Sequence, residues 1–189
     1  MNLYSIALFL HVMGALGMFI ALGIEWTSLR NLPRATTAQE ARGWLGPFLL
    51  LRRIYPPSFL AILVTGIYMM AVSWGGAPWI VIGLFGLLAL PALAVVTGRR
   101  MRRLGPAIGA ARGELDDSLR ASVTDPALWL SLRLRMGLAV GIIFLMTVKP
   151  GWIGSLVAIA LFTGIGAFVS LVARKRPQTG PATAPREAT

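Results

Sequence analysis

The sequence predicts an all-α fold: a polytopic membrane helical bundle of five transmembrane helices, N-terminus outside and C-terminus inside. Three observations predict it. Five apolar segments, about 3–24, 55–73, 78–97, 132–148 and 152–172, punctuate the chain, and runs of this kind span a bilayer's hydrocarbon core as helices. Only 13% of the 189 residues are charged and 56% are hydrophobic, where a soluble domain carries about 25% charged residues. The charges that remain are distributed unevenly between the two ends of those segments.

That asymmetry sets the orientation. The first connection holds Arg30, Arg34, Arg42, Arg52 and Arg53. The third connection and the start of span four hold Arg99, Arg100, Arg102, Arg103, Arg112, Arg120, Arg133 and Arg135, and the tail holds Arg174, Lys175, Arg176 and Arg186. Seventeen of the 18 basic residues thus fall on one side, with Lys149 alone on the other. Positive charge marks the cytoplasmic face. The net charge of +11 is therefore read as topology and contact with anionic lipids of the bilayer. No nucleic-acid motif accompanies it, so no nucleic-acid partner is expected.

Span one, 3–24, is LYSIALFLHVMGALGMFIALGI, without a formal charge. It lacks the basic start and the cleavage site of a signal peptide, so it is expected to stay as a span. Ala7, His11, Gly14, Met18 and Ala21 follow 3–4 spacing and project together. Small residues let a neighbouring helix approach, so His11 is expected to face the bundle. Glu25 is expected to be a solvated carboxylate at the helix end, the alternative being a partner arginine from a cytoplasmic loop. Thr37 and Glu40 form a capping box that opens a short surface helix, which Gly46-Pro47 is expected to interrupt. Phe48 to Tyr55 reads as interfacial, and Pro56-Pro57 marks the entry of span two.

Trp74 to Trp79 is a tight outer hairpin with tryptophans at headgroup depth. Pro91 is expected to kink span three or free a carbonyl. Residues 98–131 form the largest loop, with the basic cluster of Arg99, Arg100, Arg102 and Arg103 as a seat for anionic headgroups. Glu114, Asp116 and Asp117 are expected to pair with Arg112 and Arg120 along a solvated helix. Asp125-Pro126 opens a helix, Asp as N-cap and Pro in the first turn, that runs to Val148. Lys149 is expected to snorkel to headgroups, the alternative being an anionic ligand. Gly154, Gly164 and Gly166 give span five a surface for close packing. Residues 1–176 form one transmembrane domain, and 177–189 read as a disordered cytoplasmic tail.

Several chemistries are excluded by composition. One histidine and no cysteine cannot make a zinc site of the usual ligand count. No acid stands near His11 for a Ser-His-Asp triad, and no phosphate-cradling glycine loop is present. What remains is His11, with Met13, Met18, Met69, Met70, Met136 and Met146. Imidazole and thioether ligate haem iron, and methionines suit cuprous ion. The plainer alternative is a histidine hydrogen-bonded across helices, with methionine as core filler. On residues alone all three stay open, with His11 the single candidate cofactor-binding residue and no catalytic residue assigned.

The segments LYSIALFLHVMGALGMFIALGI, TGIYMM, VTGRRMRRL and SLRLRMGLAVGIIFLMTVKPGWIGSL resemble small bacterial membrane proteins. They belong to the predicted integral membrane protein family of unknown function 2269. That family is distantly similar to copper-resistance D proteins and to J-type protoporphyrinogen oxidase. In the latter a first-span histidine is linked to haem, and His11 matches that position. The copper-resistance proteins are longer and carry more histidines and methionines. The resemblance implies a multi-pass protein of the bacterial inner membrane. The expected function is a non-catalytic membrane component. The alternatives are a b-type haem-binding redox protein or tetrapyrrole oxidase using His11, and a copper transport or tolerance accessory. Small-residue faces also make a homodimer, or other membrane subunits, a reasonable expectation.

Overall fold

The computed structural model describes residues 2–174 and, within them, every side chain except those at 120, 173 and 174. The expected tail, 177–189, lies outside the described residues. The chain forms α1 (Leu3–Asn31), a 3₁₀ turn (Leu32–Arg34), α2 (Ala38–Met69) ending in a π turn (Met70–Trp74), α3 (Pro78–Ala110), α4 (Asp117–Val123), α5 (Pro126–Val148) and α6 (Trp152–Arg174). All of α1, α2, α3, α5 and α6 contain stretches long and apolar enough to cross a membrane. The expected all-α bundle of five spans is what forms, and the protein is a multi-pass membrane protein.

The first three helices are longer than the spans within them. With 29, 32 and 33 residues they measure about 44–50 Å at 1.5 Å per residue, beyond the roughly 30 Å hydrocarbon core. The excess stands at the arginine-rich end and builds a second, smaller core. Leu32, Ala35, Ala41, Leu104, Ile108, Leu115 and Val123 pack together there. Backbone bonds close it: Ala38 N–H donates to the Gly113 carbonyl at 2.9 Å and Leu115 N–H to the Thr36 carbonyl at 3.2 Å. Arg42 Nε donates to the Ile108 carbonyl at 3.3 Å, and its guanidinium also reaches the Ala111 carbonyl, which caps the end of α3.

Three sequence expectations change here. Thr37 caps α2 as expected, with Glu40 N–H donating to Thr37 Oγ1 at 3.3 Å, while the Glu40 carboxylate accepts from Thr36 N–H, one residue earlier, at 2.9 Å; Gly46-Pro47 does not break the helix. Pro47, Pro56 and Pro57 all lie inside a continuous α2. Each proline frees the carbonyl four residues back. Those carbonyls belong to Gly43, Arg52 and Arg53, all exposed, where water or headgroups can satisfy them. The large loop is mostly helix, because α3 runs through Pro91 and Pro106 to Ala110. Among the described residues the acids do not pair along a helix with Arg112, and the Arg120 side chain lies outside them. Glu114 bridges Thr37 as an isolated backbone pair, and Asp116 accepts from Ser118 N–H and Ser118 Oγ, both at 2.9 Å.

Glycines set the two closest helix pairs. A Cβ at Gly14 would stand 2.9 Å from the Ser58 carbonyl oxygen, and one at Gly17 would overlap Ser58 Oγ, so α1 lies hard against α2. A Cβ at Gly137 would overlap the Phe162 carbonyl, and one at Gly166 the Arg133 carbonyl, so α5 and α6 meet backbone to backbone. Of the glycines expected to pack span five, only Gly166 does this. Gly164 faces open space, and Gly154 meets only Pro150.

At the opposite end the tryptophan hairpin is tied into the bundle. Trp74 and Trp79 meet edge to face, with centroids 5.4 Å apart, and Trp74 Nε1 donates to Tyr4 Oη at 3.1 Å. Lys149 adopts a left-handed conformation (φ 55°, ψ 51°) that ends α5. Its ammonium lies 3.9 Å from the Trp74 ring centroid. An electron-rich ring face attracts the cation, so the tryptophan hairpin gives Lys149 a partner that the sequence reading did not name.

Candidate functional site

The small-residue stripe of α1 packs as its spacing implies. Ala7, Gly14, Met18 and Ala21 are buried and His11 is half-buried. His11 Nδ1 lies 3.1 Å from Thr65 Oγ1 on α2. The Thr65 hydroxyl donates to the Ala61 carbonyl one turn back. With that proton on Ala61, the contact is a hydrogen bond in the His11 tautomer that carries its proton on Nδ1 and leaves the lone pair on Nε2. The imidazole lies beside Gly66, where a Cβ would stand in ordinary contact with His11 Cε1, at 3.4 Å.

A second polar group lies further along the same stripe, and it is larger. Continuing the 3–4 spacing from Gly14 through Met18 and Ala21 reaches Glu25, which is only 4% exposed. Arg135 of α5 is 1% exposed. It grips Glu25 with both terminal nitrogens: Nη1 donates to Oε2 at 2.7 Å and Nη2 to Oε1. This bidentate form is the strongest ion-pair geometry available to these groups.

Around the pair runs a chain of hydroxyls. Arg135 Nη2 also donates to Thr97 Oγ1 of α3 at 3.2 Å. Thr97 donates to Ser131 Oγ at 3.3 Å, and Ser131 donates to the Leu93 carbonyl at 2.7 Å. Each proton in that relay has one acceptor. Among the described residues Tyr55 Oη, Arg133 Nε, Arg135 Nε and Thr163 Oγ1 are buried outside well-formed hydrogen bonds, and the Tyr55 hydroxyl of α2 stands within interaction distance of the Arg135 guanidinium. Nearby, Arg133 donates from Nη1 to the Val169 carbonyl at 3.1 Å and lies 5.1 Å from the Trp129 ring centroid.

Both expectations for Glu25 are corrected. It is neither solvated nor paired with a loop arginine, because α1 and α5 bring it against an arginine of a spanning helix. The sequence held a signal for this: an acid extending a buried stripe, and an arginine ten residues into an apolar helix. Ionisable residues in such places are costly unless paired. Arg100 of the basic cluster pairs with Asp125, the N-cap of α5, whose carboxylate accepts from Ala127 N–H at 2.8 Å.

The methionines do not gather. Met18, Met136 and Met146 belong to three different packing clusters, and Met13 is exposed. Among the described residues no group of three or more His, Asp or Glu is placed to hold a metal ion. No family model, no curated protein and no solved structure matches this chain.

Proposed function

We propose that the chain is a non-catalytic component of the bacterial inner membrane, with its N-terminus outside and its C-terminus in the cytoplasm. The orientation rests on the placement of 17 of the 18 basic residues at one end. The observation that carries the functional reading is how the ionisable groups of the bundle are used. Glu25 and Arg135 neutralise each other, and His11 is spent on a contact with Thr65. Each joins helices.

A second reading is favoured by the contact His11 makes through Nδ1. A histidine that ligates a metal commonly donates its other ring N–H to an oxygen, which fixes the ring. His11 does this through Nδ1 toward Thr65. It would hold haem iron through Nε2, as the first-span histidine of J-type protoporphyrinogen oxidase suggests. Bound there, b-type haem would supply one-electron redox chemistry. The copper reading draws less support, since three of its methionines lie in separate clusters.

One experiment separates the two readings. The purified protein and its His11→Ala variant are titrated with haem in detergent, and the visible spectrum is followed. The non-catalytic reading expects no Soret band with the shift and intensity of ligated haem in either sample. A saturable Soret band that disappears in His11→Ala overturns it and assigns the iron to His11. Orientation is tested by reporter fusions after residue 176, which are expected to be active only on the cytoplasmic side.

A further inference from the structure

The arginine cluster at the end of span three continues an apolar stripe. Ala92, Val95, Val96, Arg99, Arg100 and Arg103 of α3 line an open groove of about 430 Å³. Positions 92, 95, 96, 99 and 103 repeat at three and four residues, so they share one helix face. Val95 and Val96 are 45% and 39% exposed, and Ala92, Arg99 and Arg103 are exposed as well. The face changes from aliphatic to cationic within one turn, where the helix leaves the apolar segment.

The cations differ among themselves. Arg100 is held by Asp125, so its charge is answered. Arg99 and Arg103 have no ion pair or hydrogen bond among the described residues. They stand one turn apart, where two like charges repel each other. An anion between them relieves this, and the aliphatic residues on the same face suit an apolar tail attached to it.

We propose that this groove binds an anionic phospholipid, its phosphate between Arg99 and Arg103 and the start of an acyl chain along Ala92, Val95 and Val96. Arginine suits the phosphate because its planar fork can meet two oxygens at once. Asp125 holds Arg100 at the rim and keeps it from folding over the site. The proposal rests on the reading of this chain as a membrane protein with its arginine-rich end at an anionic leaflet. It adds that one face of α3 selects a lipid, over and above the general attraction of a positive surface.

The test uses the full chain in detergent with added phosphatidylglycerol, and phosphatidylcholine as the uncharged control, followed by native mass spectrometry. Wild type is expected to retain phosphatidylglycerol in preference to phosphatidylcholine. Arg99→Gln/Arg103→Gln should weaken that retention about thirtyfold, the worth of two arginine–headgroup contacts. Arg52→Gln/Arg53→Gln removes the same charge from exposed positions on α2 and should leave it unchanged. Ala92→Trp keeps every charge and fills the aliphatic half, and should also reduce retention. Equal loss in the two arginine pairs overturns the proposal in favour of diffuse charge. No preference for phosphatidylglycerol, or full retention in Ala92→Trp, overturns it too. Reporter fusions that keep their orientation in that event leave the membrane reading standing, so the two failures are distinguishable.

Discussion

Two polar contacts cross the interior of the bundle, and they are built on different terms. His11 meets Thr65 through one hydrogen bond between two adjacent helices, half-buried and without charge on Thr65. Glu25 meets Arg135 through two charge-assisted bonds, almost wholly buried, with Thr97, Ser131 and Leu93 bringing in α3. A neutral contact can be lost at little cost, because both groups then face a half-open environment. A buried charge deprived of its partner has nowhere to go. The residue that is conspicuous in the sequence therefore makes the weaker contact, and the contact whose breaking strands a buried charge is formed by Glu25 and Arg135.

The largest expected effect tests that ranking directly. Glu25→Gln or Arg135→Gln should destabilise the protein by about 3–5 kcal/mol, the cost of stranding one buried charge. Thermal unfolding in detergent, or steric trapping in bicelles, measures it. The double variant Glu25→Leu/Arg135→Leu should recover most of the loss, since a well-packed apolar pair often matches a buried ion pair. If either single variant is as stable as wild type, the pair is not structural and the comparison fails.

Packing supplies an intermediate benchmark. Gly137→Leu would force α5 and α6 apart, because even a Cβ there overlaps the Phe162 carbonyl. A loss of about 1–3 kcal/mol is expected, typical of overpacking, read by the same unfolding assay. Gly164→Leu should cost much less, since open space faces that position.

The His11–Thr65 contact should rank below both. A double-mutant cycle with His11→Ala and Thr65→Val should give a coupling of about 0.6 kcal/mol, the average for hydrogen bonds between membrane helices. A coupling several times larger would place His11 alongside Glu25 and Arg135 as a structural determinant.

The smallest effect lies outside the spans. The Asp116 carboxyl is held below the usual aspartate range by the backbone N–H and then the hydroxyl of Ser118. Its folded value is lowered, so its contribution is present above the ordinary aspartate value of about 3.9. That contribution is lost as pH falls through the lowered folded value. An NMR pH titration should show the Asp116 resonance moving at lower pH than a free aspartate, and Ser118→Ala should move the midpoint up. An unchanged midpoint in Ser118→Ala would remove the assigned cause.

Much of the fold was legible because hydropathy is a local property. Five apolar runs and a one-sided arginine count gave the spans and their expected orientation without knowledge of any contact. The inward face of α1 was legible too, because Ala7, Gly14, Met18 and Ala21 repeat at the helical period. Helix ends were read less well. Proline and glycine at 46–47 suggested a stop, yet the carbonyl that Pro47 frees lies on exposed Gly43, so the helix continues. The acids after Arg112 suggested intrahelical pairs, yet the chain leaves the helix at Ala110 and turns back to Thr37. Of the site, His11 and its neighbours on the stripe could be named, but neither Thr65 as its partner nor the buried pair could.

The sequence by itself determined the class of protein, the number of spans and the end at which positive charge collects, because each is a sum over neighbouring residues. Only the tertiary structure decided which charges are used up inside the bundle. Glu25 and Arg135 are 110 residues apart, and nothing local to either tells that α1 and α5 will bring them together. Once they meet away from water, their attraction is screened far less than at a surface. The same reason separates Arg100, answered by Asp125, from Arg99 and Arg103, which form no ion pair among the described residues.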